Sequence, residues 1–399
     1  MDKLLDYVLW MRDFPIDATG FRDADALVLC ALSYCDFSPL FLTAEEPPLS
    51  RCADEGFLEN LRVLVTGSGD GFRALLQAAA SSRRYGCMRL SEYDDVLRED
   101  PPLQFSAVCF HDESELSFMA FRGTDSSLAG WKEDFMIAFT KTEAQELALR
   151  YLSAHLVPGR KWIVGGHSKG GNLALYAAAM ADDIYLARLQ KLYLLDGPGL
   201  CPEVLNALRV ARVDEKTVRI IPRFSVVGKL FEPAVTDSRI VRSDASGFAQ
   251  HLLLTWGIDH GEPAYAEEND PTSVWINDTM NAWIDGMTQE ERVALVDDLF
   301  ASLAASGASS LNELVAGGPA AFADVMKRLG ESDESTRQSF TDLRKTAFRA
   351  ALQSVKDRID ALEAKHLAVK AAAEEAKAVE EAKAAEEARE AGETDGPMP

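Results

Sequence analysis

Three observations predict an α/β protein, a mostly parallel sheet flanked by helices. Short apolar strand-like runs alternate with helical stretches through the middle of the chain. A glycine-framed serine stands at one strand-to-helix corner. The flanking segments are helical in pattern, which predicts a helical lead-in and a helical extension around the sheet. The 399 residues, 47% of them hydrophobic, exceed the roughly 150 expected of one domain. Residues 1–100 read as a helical lead-in packing on the core, 101–265 as the α/β core, 266–361 as a helical extension or cap, and 362–399 as an acidic tail.

In the lead-in, helical spacing covers Leu4 to Met11, Ala24 to Tyr34, Leu58 to Val65 and Gly71 to Ser82. From Phe105 the period changes to that of strands. Ser106 to Phe110 and Leu116 to Phe121 flank the polar turn 111–115, a hairpin signature. A helix over Glu143–Leu156 follows, then strand Lys161–Gly165, helix Lys169–Ala181, strand Leu192–Leu195, a short helix after Pro202, strand Val218–Ile221 and a strand at Arg239–Arg242. After Pro271 the spacing of Trp275, Met280, Trp283 and Met287 is helical. A break at Gly307–Ser310, a short turn at Leu311–Ala316 and Gly317–Gly318 precede helices from Pro319 to about Ala361. Three six-residue repeats, beginning at Glu374, Glu380 and Glu386, carry i,i+3 ion pairs. A period of six never returns to one helix face, so a solvated helix or a disordered tail is expected.

The serine lies in Gly166-His167-Ser168-Lys169-Gly170, between the run Trp162-Ile163-Val164 and the small-residue helix Gly171–Ala179. The string alone turns up by chance in about one chain in ten of this length, so its context decides. A strand that ends on the motif and a helix that starts from it match the nucleophile elbow of an α/β-hydrolase. Ser168 is the candidate nucleophile, and His167 is read as packing against the elbow. Acyl transfer from serine needs a base and a carboxylate to orient it, in the chain order serine, acid, histidine. Only His251, His260 and His366 follow Ser168. His251 follows the last strand and is the candidate base; His260 is the reserve, and His366 sits in the tail. Asp196, in Leu195-Asp196-Gly197-Pro198-Gly199, ends the strand after the nucleophile helix and is the candidate acid. Its rival is a plain Asp-Gly turn. Glu232 and Asp237 are the acids one strand later. The oxyanion donors expected are the amides of Lys169 and of Thr124, with Asp125 as neighbour to the latter. Arg122 reads as a brace for that loop or a grip on an anionic substrate.

The formal charge of −23 argues against nucleic acid and against anionic lipid surfaces as partners. Six cysteines without C-x-x-C spacing suggest reduced thiols in the cytoplasm rather than a metal or redox site. Charges interrupt the apolar residues of Met1–Asp13, which predicts an amphipathic helix, not a secretion signal. No stretch reaches the roughly 18 uncharged apolar residues of a membrane span. No metal or organic cofactor is expected.

Several of these segments together resemble the class 3 lipase type of α/β-hydrolase. Phe121-Arg122-Gly123-Thr124 with Trp131 and Asp134 looks like its oxyanion segment, and Gly166–Gly171 like its elbow. A closer resemblance is to a bacterial lipase-like family classed as a domain of unknown function. It is carried by Leu5-Asp6-Tyr7, Asp25-Ala26-Leu27, Phe121–Asp125, Gly166–Asn172, Asp196–Gly199, Val226-Val227-Gly228 and Gln250-His251, over roughly residues 1–260. The resemblance implies an α/β-hydrolase fold with Ser168, Asp196 and His251 in the triad roles. Two departures stand out. Ser225 occupies about the place of the class 3 acid, and Lys169 replaces an apolar residue, setting a cation near the site.

The expected function is a serine hydrolase cleaving a carboxylic ester or acyl lipid, a small-molecule substrate, through an acyl-enzyme on Ser168. A thioesterase, a peptidase and a catalytically silent hydrolase fold used for binding stay open as alternatives. In the last case the carboxy-terminal helices are the surface for a protein partner.

Overall fold

The computed structural model describes residues 2–297, apart from 66–68, 126–127, 138–139, 202, 231–237, 275–276, 279–280, 282–285, 289 and 295. The strands are β1 (Arg89–Arg98), β2 (Leu103–His111), β3 (Leu116–Phe121), β4 (Lys161–His167), β5 (Leu189–Leu195), β6 (Thr217–Pro222) and β7 (Ser238–Val241). A separate hairpin, β8 (Ile258–Asp259) and β9 (Glu262–Pro263), precedes β10 (Tyr265–Ala266). The main sheet runs β1-β2-β3-β4-β5-β6-β7-β10. From β3 to β7 every pairing is parallel; β1, β2 and β3 pair antiparallel at one edge, and β10 closes the other edge antiparallel to β7. This is an α/β-hydrolase fold.

Alternation along the strands builds a core on each face. Phe118 and Ala120 of β3 join Val108, Ile163 and Tyr193 beneath α1 (Leu4–Met11), α2 (Asp23–Leu32) and α3 (Gly69–Ala80). Met119 and Phe121 point the other way, with Val164, Leu192 and Leu194. On that face they meet α5 (Glu143–His155), α6 (Lys169–Met180) and α7 (Ala207–Asp214), while α4 (Leu128–Ile137) follows β3. The amino-terminal helices are therefore one full layer of the sandwich. A buried carboxylate ties that layer together: Asp25 accepts hydrogen bonds from Arg84 Nε (2.7 Å), Arg84 Nη2 (2.5 Å), Tyr85 Oη (2.5 Å) and Tyr7 Oη (3.0 Å).

Three local expectations change. β1 lies in a stretch read as helix and loop, because Arg-Leu-Ser-Glu-Tyr-Asp-Asp-Val-Leu-Arg is an edge strand with most of its side chains toward water. Its register shifts between Ser91 and Asp94, where Glu92 takes φ +54°. The helix expected over Leu58–Val65 is replaced by a single turn, Glu55–Glu59, after which Val63 bridges to Cys35. The helix α4 was not anticipated.

Among the described residues no helix is long and apolar enough to cross a membrane, and no group of three or more His, Cys, Asp or Glu side chains could hold a metal ion. Residues 271–274 and 290–294 are helical, as expected after Pro271. The chain divides into Met1–Leu343 and Arg344–Pro399. The second unit, the helices expected from Pro319 to Ala361, the repeat tail of 362–399 and His366 lie outside the described residues.

Candidate active site

The carboxyl ends of β4, β5 and β6, with the loop after β7, bring the predicted residues to one end of the sheet. Ser168 holds φ 58° and ψ −131° between β4 and α6. A non-glycine residue in that region costs about 1–3 kcal/mol and persists only where its surroundings enforce it. The enforcement is close backbone packing. A Cβ built on Gly166 would sit 2.1 Å from the Gly170 carbonyl oxygen, and one on Gly170 would sit 2.1 Å from that of Phe121. The Ser168 amide donates to the Leu195 carbonyl (2.9 Å), locking the turn to β5.

Asp196 follows β5 with φ 46°, a region that Asp tolerates better than most residues. Its buried carboxylate is fully used. Oδ2 accepts from His251 Nδ1 at 2.6 Å, while Oδ1 accepts from Ser225 Oγ at 2.5 Å and from the Gly228 amide at 3.2 Å. Ser225, in the loop after β6, thus donates to the carboxylate that follows β5. Ser225 is braced in turn, since its carbonyl accepts from Asn277 Nδ2 at 2.7 Å. Asn277 carries no motif and was missed; the helical spacing after Pro271 was the only signal near it.

With Nδ1–H committed to Asp196, a neutral His251 carries its lone pair on Nε2, the tautomer a general base needs. The ring is about a quarter exposed. Among the described residues no hydrogen bond joins Ser168 Oγ to His251. Such bonds are commonly long in the absence of substrate and tighten when it binds. His260 is not part of this cluster: it is 94% exposed on the β8–β9 turn and pairs with Asp259 at 2.7 Å. Glu232 and Asp237 lie outside the described residues.

The loop after β3 lies against the elbow. A Cβ on Gly123 would come within 3.1 Å of Ser168 Cβ and 2.7 Å of the His167 carbonyl oxygen. With its carboxamide oxygen toward that loop, Gln104 accepts from the Asp125 amide (3.1 Å) and from Arg122 Nη2 (3.0 Å). The Asp125 amide, the neighbour weighed beside Thr124, is thereby engaged elsewhere. Arg122 is buried and pairs with Asp95 Oδ1 at 2.9 Å, which braces the loop.

The expectation of a cation beside the nucleophile needs correcting. The Lys169 side chain is only 1% exposed and runs to Glu133 Oε2 of α4 (2.5 Å) and to the Gln104 carbonyl (2.7 Å). Glu133, 3% exposed, also accepts from the Gln104 amide at 2.7 Å. The charge is neutralised underneath the site, and the pair pins α4 and β2 to the nucleophile helix. The side chains of Trp131 and Asp134 on α4 lie outside the described residues.

The profile of the Mbeg1-like family matches residues 79–301, more than half of the chain. The chain belongs to the Mbeg1-like family. Ser168, Asp196 and His251 all fall within the Mbeg1-like match, and α1 and α2 precede it. Among solved structures, the M37 lipase is 16% identical, with 52% of this chain and 70% of that one covered at a TM-score of 0.30. The extracellular lipase LipA from Serratia marcescens is 14% identical, with 57% of this chain and 41% of that one covered at a TM-score of 0.27. No curated protein matches the chain.

Proposed function

We propose that this Mbeg1-like protein is a serine hydrolase of carboxylic esters or acyl lipids, working through an acyl-enzyme on Ser168. The observation that carries the reading is the 2.6 Å bond from His251 Nδ1 to the buried Asp196, beside a serine held in a strained elbow. In the proposed reaction Ser168 Oγ attacks the carbonyl carbon as its proton passes to His251 Nε2. Asp196 holds the imidazolium that forms, and the amides of Lys169 and Thr124 meet the oxyanion. Collapse breaks the carbonyl carbon–oxygen single bond, and His251 returns the proton to the leaving alkoxide. Water then repeats the sequence on the acyl-enzyme, which releases the carboxylic acid and restores Ser168.

A bacterial source and kinship with class 3 lipases belong to the same reading, supported by the motifs around Gly123 and Ser168. So does a cytoplasmic location, in keeping with six cysteines that are all unpaired. Labelling by a fluorophosphonate probe tests the proposal. Wild type should label, and Ser168→Ala and His251→Ala should not; a folded wild-type protein inert to the probe and to p-nitrophenyl esters would mean a silent fold. Parallel assays on thioester and amide substrates separate an esterase from a thioesterase or a peptidase.

A further inference from the structure

We infer that the amino-terminal helical layer positions the proposed base through a chain of two hydrogen bonds, from Tyr34 to the His167 ring and from that ring to the His251 carbonyl. The inference rests on the reading of His251 as the base. Tyr34, buried just after α2, places Oη 2.8 Å from His167 Nδ1. On the far side of the ring, His167 Nε2 lies 2.8 Å from the His251 carbonyl oxygen. A carbonyl only accepts, so Nε2 carries the proton, and in a neutral ring Nδ1 then takes the Tyr34 hydroxyl proton. Burial, and secondarily the neighbouring His251, holds His167 well below the usual imidazole range, which keeps the ring neutral and this tautomer in place.

The His251 loop depends on such tethers. The turn Gly247–His251 contains no buried residue, so apolar packing does little to fix it. Polar bonds hold it instead. Gln250 accepts from the Phe224 amide (3.0 Å) through its side chain and from Trp256 Nε1 (2.7 Å) through its carbonyl. His167 holds the next carbonyl, that of His251 itself, and the two imidazoles lie 4.6 Å apart between centroids. Tyr34 is well anchored to act as a post: its carbonyl accepts from the Leu64 amide (2.8 Å) and its ring packs on Phe72. The same hydroxyl lies against the oxyanion loop, where a Cβ on Gly123 would approach it to 2.2 Å. One tyrosine of the helical layer therefore sets both the base loop and the oxyanion loop. His167 and Tyr34 touch no reacting atom; they are positioning residues.

Three variants test the chain. In His167→Gln the amide nitrogen reaches about where Nε2 stood and keeps the bond to His251. His167→Asn reaches only the Nδ1 side and loses it. Tyr34→Phe removes one hydroxyl and keeps the ring. The readouts are the fluorophosphonate labelling rate of Ser168 and the far-downfield proton resonance of His251 Nδ1, assigned by its loss in His251→Ala. His167→Asn should slow labelling about 100-fold, the size expected for an ångström-scale misplacement, and shift or broaden the resonance. His167→Gln should restore both to within about 10-fold of wild type, and Tyr34→Phe should fall between, at roughly 10-fold slower. A folded His167→Asn protein with unchanged labelling and resonance overturns the inference, as does a His167→Gln protein as impaired as His167→Asn. Where His167→Asn does not fold, an unaltered Tyr34→Phe protein overturns it. An unlabelled wild type whose downfield proton still moves in Tyr34→Phe defeats the hydrolase reading and upholds the positioning chain.

Discussion

Replacing Lys169 by Met removes the cation from a pair sealed beneath the proposed nucleophile. Glu133 would then keep one donor, the Gln104 amide at 2.7 Å, with its other oxygen already unpartnered among the described residues. Breaking a buried pair by deleting one partner costs about 3–5 kcal/mol, because the remaining charge is left in a poor solvent. Taking about 2 °C per kcal/mol for a chain of this size, the midpoint should fall by about 6–10 °C. Glu133→Leu should destabilise as well, through the stranded Lys169 ammonium. The double variant Lys169→Met with Glu133→Leu removes both charges and should recover most of the loss, since apolar replacement of a whole buried pair is often neutral. Urea unfolding of the four proteins gives the coupling energy directly. A Lys169→Met protein within about 1 kcal/mol of wild type, or a double variant costing as much as the two singles summed, would refute the reasoning. The Lys169 amide survives in all of them, so a loss of esterase activity beyond the loss of folded protein would report the displaced α4 loop.

Asp196→Asn should leave the fold in place and lower ester kcat by about 10³–10⁴-fold, because an amide nitrogen facing His251 Nδ1 forces the proton onto Nε2; steady-state kinetics check it. Ser225→Ala takes one donor from the same carboxylate and should cost a smaller factor, about 5–30-fold, in kcat/KM. His111, hydrogen-bonded to Ser91 Oγ and Ser117 Oγ, is pushed down to about 4 by burial and then by Arg160, against 6.5 when unfolded. Between those values the unfolded chain binds the extra proton, so the stability from a neutral ring is full above about pH 6.5 and is lost as pH falls toward 4. With one proton exchanged the slope is at most about 1.4 kcal/mol per pH unit, and His111→Gln should flatten it in urea titrations. Asp25→Ala strands the buried Arg84 and should cost about 3–5 kcal/mol, with hydrogen exchange rising first in α1 and α2.

The residues that identify the site were legible because their chemistry depends on local order. Gly166, Ser168 and Gly170 reveal a strand-to-helix corner whose backbone contacts no larger residue allows. Asp196 and His251 follow in the one order the fold uses, Asp196 directly after β5 and His251 in the loop after β7. β1 escaped notice because an edge strand faces water and carries no apolar alternation, and α4 because its pattern is weak. Charge was the least legible feature. Lys169 reads as a cation in the site until its partner Glu133, 36 residues earlier, is brought beneath it.

By itself the sequence determined the α/β architecture and the elbow, which follow from spacing between neighbours along the chain, and it named the candidate triad by the order serine, acid, histidine. Tertiary structure decided the rest. It made Ser225 a donor to Asp196, turned Lys169 away from the site, left His260 in solvent, and linked Tyr34 to His251 through the His167 ring. The physical reason is common to the three that gained a partner, whereas His260 stays exposed beside its neighbour Asp259. A hydrogen bond or ion pair depends on which distant groups meet once water is excluded, and those partners lie from 29 to 133 residues apart.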